Sequence, residues 1–154
     1  MSDVIEQTPT IRKYQPDDAT CLHQIDQICF ERDVAFSRGE LLFYLNHPGA
    51  VTLVAVSNER IIGFALGRVH QNRVAHVLTL DVLPEARRQR IGTLLMKSLH
   101  EEFRNRAISR VMLEVSTKNL PAQRLYGELQ YTVLETLHGY YNGREDAFLM
   151  SLSL

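Results

Sequence analysis

The chain has no tryptophan, two cysteines and five prolines. It also has no apolar stretch near the ~18 residues a membrane-crossing helix needs. That missing run excludes a spanning helix, and no basic-then-apolar leader at the N terminus marks a signal peptide. Cys21 and Cys29 fall on one predicted helical segment, where a rise of about 1.5 Å per residue sets their Cα atoms ~12 Å apart, too far for a disulfide. Idle thiols of this kind fit a cytoplasmic protein. The six histidines show neither H-x-x-x-H spacing nor a C-x-x-C companion, so no metal site is expected. Lone histidines such as His76 and His138 read as structural. Charge of one sign is lacking as well: the net charge is −1, so no global field draws the chain to nucleic acid or anionic lipid. Arg104, Arg106 and Arg110, beside Glu101 and Glu102, read as a solvated helix end rather than a nucleic-acid surface.

What is present suits one folded domain over residues 1–154. Apolar residues make up 45% and charged residues 23%, and a chain of 154 residues can bury ~70% of its unfolded surface. Thr10 to Lys13 reads as a short strand. Pro16-Asp17-Asp18 signals a helix start, followed by Leu22, Ile25, Ile28 and Cys29 at helical spacing. Arg38 to Leu45 reads as a second helix, ended by Asn46-His47-Pro48-Gly49. Strands follow at Val51 to Val56, Ile61 to Val69 and Arg73 to Val82, with turns at Ser57-Asn58-Glu59-Arg60 and Gln71-Asn72. A third helix, a strand from Arg110 to Ser116, a helix from Leu120 to about Leu129, and strands near Tyr131 to Leu137 and Ala147 to Leu152 complete the order. The expectation is a mixed α/β (α+β) fold with a mostly antiparallel sheet.

Val77 to Phe103 is the segment richest in chemistry. VLTLDV (Val77 to Val82) is a strand stopped by Pro84, and Arg87-Arg88-Gln89-Arg90-Ile91-Gly92-Thr93 then opens a helix with Ile91, Leu94, Leu95, Leu99 and Phe103 on one stripe. The first N–H groups of a helix lack internal partners and sit at its positive end. Three arginines and a glycine at that point build a seat for a phosphate group. Neither G-x-x-x-x-G-K-[ST] nor G-x-G-x-x-G is present, so the common nucleotide loops are excluded. On the next strand, alternation sets Leu113 and Val115 on one face and Met112, Glu114 and Ser116 on the other. Glu114 there is either a solvated or ion-paired carboxylate or a cleft-lining base. Asn119 fits an N-cap, with Pro121 in the first turn. Ala122, Leu125 and Leu129 share a stripe beside Tyr126, whose hydroxyl is a polar handle on a core residue unless it has a catalytic task.

LDVLPEARRQRIGTLL, LEVSTKNLPAQRLY and YYNGREDAFLM together resemble the GNAT (Gcn5-related) N-acetyltransferases. Within that family they resemble the branch of protein N-terminal acetyltransferases that includes the ribosomal-protein alanine acetyltransferases. The resemblance runs strongly from about Val51 to the end and loosely over the N-terminal helices. It implies the GNAT fold, a mostly antiparallel sheet of about seven strands flanked by about four helices, with acetyl-CoA as co-substrate and no metal. By resemblance, Arg87, Arg88, Gln89, Arg90, Ile91, Gly92 and Thr93 hold the pyrophosphate, and Leu80, Asp81 and Val82 pair by backbone with the pantetheine arm. Asn119 contacts the cofactor near its thiol end. Glu114 matches the family's general base and Tyr126 its general acid. Tyr140 and Tyr141 match an aromatic pair at the peptide groove, with Phe36-Ser37 a looser match in the same region. The family usually has glycine at the positions of Arg90 and Gln130, so both must make their turns without glycine's freedom.

The function so implied is direct acetyl transfer to the α-amino group of a protein or peptide N terminus, a ribosomal protein among the candidates. An α-amino group with a pKa of ~7.7–8.0 needs far less help to deprotonate than a lysine at ~10.4. Two alternatives share the fold: acetylation of a small-molecule amine, and a non-catalytic acetyl-CoA sensor, which would need neither Glu114 nor Tyr126.

Overall fold

A computed structural model describes residues 8–154. The strands are β1 (Thr10–Lys13), β2 (Ala50–Ser57), β3 (Arg60–Val69), β4 (Val74–Val82), β5 (Arg110–Ser116), β6 (Thr132–Tyr141) and β7 (Glu145–Ser153). The helices are α1 (Ala19–Cys29), α2 (Arg38–Leu45), α3 (Ile91–Asn105) and α4 (Leu120–Glu128). One seven-stranded sheet runs in the order β1-β2-β3-β4-β5-β7-β6. Among the described residues only β4 and β5 are parallel neighbours, joined through α3. The expected mixed, mostly antiparallel fold is therefore the observed one.

Local chemistry accounts for the element ends. Asn58 and Glu59 both adopt positive φ, the tight hairpin geometry that matches the twist of β2 and β3. The β3–β4 turn takes in Arg73 as well as Gln71-Asn72, closed by His70 N–H on Val74 O at 2.8 Å. Ser37 caps α2 with a reciprocal box: its hydroxyl accepts from Glu40 N–H (3.1 Å), and Glu40 accepts from Ser37 N–H (3.0 Å). Asn119 caps α4 by accepting from Ala122 N–H at 3.2 Å. Arg90 at φ 61° starts α3 and Gln130 at φ 76° follows α4, so both non-glycine residues take the left-handed turn.

Each face of the sheet is covered. Asp81 meets Asp26 of α1, so its register partner Phe64 also faces α1. Gly67, of opposite parity on β3, lies under Phe103 of α3. α3 buries Ile91, Leu95, Met96, Leu99, His100 and Phe103. At ~1.5–3 kcal/mol for each fully buried large apolar side chain, this is the principal clamp on that face. Two stripes differ from expectation. Leu94 is exposed because Met96 and His100 turn inward in its place, and Ile28 is exposed while Asp26 is buried.

The feature that positions the site is a split in the sheet. β4 pairs with β5 only from Val74 to Val77, although both strands continue beyond that point. Leu66 opposes Thr79 while Gly67 opposes Val77, which leaves Leu78 as an extra residue in β4. A bulge of this kind bends a strand and ends its pairing. Beyond it β4 diverges from β5 and a wedge opens between them.

Candidate active site at the split between β4 and β5

The wedge has a free backbone edge. Leu83 N–H donates to Ile62 O at 2.9 Å, so by strand alternation Thr79 and Asp81 also turn their backbone groups toward β3. Leu80 and Val82 turn theirs away, toward the wedge. Val82 O accordingly accepts from Arg87 Nε at 3.0 Å and from the Cys29 thiol at 3.4 Å. Asp81 holds the register between them, with its side chain in the core.

At the end of this edge lies the start of α3. The first intrahelical bond is Leu94 N–H to Arg90 O, no side chain caps the helix, and Arg88 and Arg90 are both left-handed. Consecutive N–H groups from Arg88 to Thr93 thus have no protein acceptor among the described residues. Such a concave run of amides favours an anion. Arg87, Arg88, Gln89 and Arg90 are exposed around it. A Cβ built on Gly92 would come within 3.3 Å of Leu125, 3.6 Å of Leu80 and 3.9 Å of Val82. Glycine keeps the passage from these amides to the β4 edge open. Free amides, basic side chains and an unpaired strand edge are the groups that a diphosphate with an amide-bearing arm requires.

Inside the wedge is a cavity of about 750 Å³, lined among others by Phe36, Leu80, Glu114, Asn119, Tyr126, Tyr140 and Tyr141. Candidate residues from five separate stretches of sequence meet here. β5 delivers Glu114 and α4 delivers Tyr126. β6 runs longer than expected and carries Tyr140 and Tyr141 at its end, where their rings meet edge to face at 4.9 Å. Phe36 packs on Tyr44 at 5.5 Å, and its carbonyl accepts from Gln27 at 2.8 Å. Asn119 lines the wall while its carbonyl oxygen stays on the α4 cap.

The electrostatics separate two roles. Tyr126 is only 7% exposed, and burial, with Asp81 and Tyr141 adding, pushes its hydroxyl well above the ordinary tyrosine value. It holds its proton at any physiological pH. Tyr141 is raised to about 12 by burial and then by Tyr140 and Glu114. Glu114 lies against His76, Nε2 to Oε2 at 2.5 Å, across the parallel pair. Neither sequence spacing nor periodicity signalled His76. The cavity wall also holds Asp26, Glu31, Asp33 and Glu145 against a single Lys118, an environment that attracts a cation. Asp26 was missed too, although a carboxylate between Ile25 and Cys29 on a helix's inward side is the signal that could have found it. Cys21 and Cys29 are unpaired, as their spacing predicted, and burial raises the Cys29 thiol to about 11, which keeps it un-ionised.

The fold and this site define an acyltransferase of the GNAT class, and residues 19–131 match the Acetyltransferase (GNAT) family; the chain belongs to it. An N-alpha-acetyltransferase of Saccharolobus solfataricus is 27% identical, over 94% of this chain and 93% of that one. The [ribosomal protein bS18]-alanine N-acetyltransferase of Escherichia coli is 28% identical, over 94% and 97%. The crystal structure of the ribosomal-protein-S18-alanine N-acetyltransferase from Escherichia coli superposes with a TM-score of 0.87 at 25% identity, covering 95% of this chain and 94% of that one. The chain is thus an N-acetyltransferase that uses acetyl-CoA. Among the described residues no helix is long and apolar enough to cross a membrane, and no cluster of metal-ligating side chains occurs.

Proposed function

We propose that the protein acetylates the α-amino group of a protein or peptide N terminus, with Glu114 as general base and Tyr126 as general acid. The single observation that carries this reading is the convergence of Glu114, Tyr126 and the free β4 edge on one acidic cavity. Two of the similar proteins named above act on N termini by their names, which supports the same acceptor class. A ribosomal protein is the first acceptor to try, and a cytoplasmic location goes with it.

Bound acetyl-CoA supplies an acyl group activated as a thioester. The amides from Arg88 to Thr93, with Arg87, Arg88 and Arg90 around them, hold its diphosphate. Leu80 and Val82 hydrogen-bond its amide-bearing arm along the strand edge, Asp81 keeps them in register, and Asn119 borders the thiol end. The carboxylates of the wall draw in the acceptor as its ammonium form. Glu114 then takes a proton from that ammonium, directly or through one water, and His76 fixes the carboxylate's orientation. In this reading Leu80 N–H, on the free edge where the strand lines the cavity, donates to the oxygen that gains charge during attack. Tyr126, held protonated by burial, gives its proton to the departing sulfur, and the second proton shed by the newly acylated nitrogen restores the phenol. Tyr140, Tyr141 and Phe36 flank the acceptor's first residues.

The test is turnover with acetyl-CoA and a panel of acceptors: free N-terminal peptides, among them ribosomal N termini, the same peptides blocked at the α-amine but carrying lysine, and small polyamines. Thiol release with free N termini and little with blocked peptides is the expected result. Faster turnover of polyamines would assign the enzyme to small-molecule amines, and cofactor binding without turnover of any amine would make it a sensor.

A further inference from the structure

We infer that Asp26 and Asp81 share one proton, and that this pair clamps the Phe36 wall of the cavity to strand β4. Four carboxyl oxygens meet between α1 and β4, and two of them have ordinary donors. Asp26 Oδ2 accepts from Phe36 N–H at 2.7 Å, and Asp81 Oδ1 from the Thr79 hydroxyl at 2.5 Å. The other two, Asp26 Oδ1 and Asp81 Oδ2, are buried and reached by no donor among the described residues. Both side chains are 0% exposed, and the carboxyls lie within hydrogen-bonding reach of each other. Two adjacent buried carboxylates would each bear a desolvation cost of several kcal/mol and repel one another. A single proton between the two orphan oxygens satisfies both.

The surroundings fit this arrangement. Cys29 faces the pair from α1, Thr79 from β4, Arg87 from the basic turn and Tyr126 from α4. Arg87 is the one cation in this set. Burial first, and Asp26 second, raise the Asp81 carboxyl well above its usual range.

The position of the pair gives it a task in the reaction proposed above. Asp26 holds the backbone of Phe36, one residue before the Ser37 cap of α2. Asp81 sits between Leu80 and Val82, whose backbone groups edge the wedge. The shared proton therefore ties the wall that receives the acceptor to the strand that receives the cofactor. Loss of that proton leaves two like charges face to face and drives α1 from β4, widening the cavity at Phe36. Asp26 and Asp81 are positioning residues, acting through Phe36 and β4.

The shared proton is tested without any substrate, and only the clamp's effect on the acceptor rests on the acetyl-transfer reading. In protein labelled with ¹³C at aspartate carboxyls, one carboxyl should remain protonated at pH 7, and its signal should vanish in Asp81→Asn. Ionisation of every aspartate carboxyl at pH 7 in the unsubstituted protein would overturn the proposal. With an accepted amine, the acceptor KM should rise at alkaline pH by more than deprotonation of the acceptor's own ammonium explains, whereas Asp81→Asn, whose amide donates permanently to Asp26, should keep only that acceptor-borne part. Asp26→Ala should raise acceptor KM about tenfold or more at all pH values, from loss of a charged hydrogen bond, with CoA affinity little altered. An alkaline rise of equal size in Asp81→Asn would overturn the clamp. Should Asp26→Ala not fold, Asp26→Asn, whose amide keeps the Phe36 bond and donates permanently to Asp81, should lose the same part of the alkaline KM rise as Asp81→Asn, and a full rise in it would overturn the clamp.

Discussion

Tyr126 and Glu114 divide the proposed proton transfers by their surroundings. Burial holds the Tyr126 hydroxyl protonated, which suits a donor and disqualifies it as a base at neutral pH. Tyr126→Phe removes that proton while keeping the ring that packs on Tyr131 at 5.8 Å. We expect turnover to fall ~100-fold or more, with CoA affinity by calorimetry unchanged; full activity would refute the acid assignment. Glu114→Gln should slow the reaction most at low pH, where few acceptor amines are neutral without help. A pH–rate profile displaced uniformly downward would instead mark Glu114 as structural. Strand alternation was enough to place Glu114 on the face opposite Leu113 and Val115. It could not reveal His76, because that contact depends on parallel pairing between residues 38 apart. Nor could it reveal that Asp81 buries its side chain against Asp26, since an acidic residue in a strand is ordinarily read as solvent-facing.

Helices and turns were legible where local chemistry decides them. The Asn119 cap, the short α2 and the strand sequence of β5 were read from nearby residues, and the Ser37–Glu40 box, which was not read, is just as local. The inward stripe of α3 was less legible. Leu94 and His100 exchange their expected places because Tyr131, far along the chain, offers His100 Nε2 a hydrogen bond at 2.7 Å. Burial, with Arg104 adding, lowers His100 from 6.5 to about 4, so the folded protein keeps it neutral where the unfolded chain takes up a proton. The stability this contributes is present above pH 6.5 and is lost as pH falls toward 4, by at most about 3 kcal/mol. Urea unfolding at pH 7 and pH 5 should show the decline, and His100→Gln should flatten it. An equal decline in the variant would assign the effect to other groups. Gln130 tests the turns: at φ 76° it bears left-handed strain, so Gln130→Gly should raise stability by up to ~1 kcal/mol in thermal unfolding. An unchanged or lower midpoint would mean the strain is relieved locally.

At the scale of the whole molecule, function depends on one irregularity in an otherwise continuous sheet. Element order and antiparallel preference could be read from hydrophobic patterns and turn residues. The extra residue at Leu78 could not, because its one mark in VLTLDV is that Val77 and Leu78 stand apolar side by side, as they would in any strand buried on both faces. That single insertion reverses which faces meet α1 and α3 above and below it, and it ends the pairing with β5. It thereby brings free amides, an unpaired strand edge, a buried phenol and an acidic wall onto one opening. The direct measurement is a crystal structure with CoA bound. The account predicts the diphosphate on the amides of Arg88 to Thr93, the arm hydrogen-bonded to Leu80 and Val82, and the sulfur beside the Tyr126 hydroxyl. A cofactor seated elsewhere, or a sulfur out of reach of Tyr126, would contradict it.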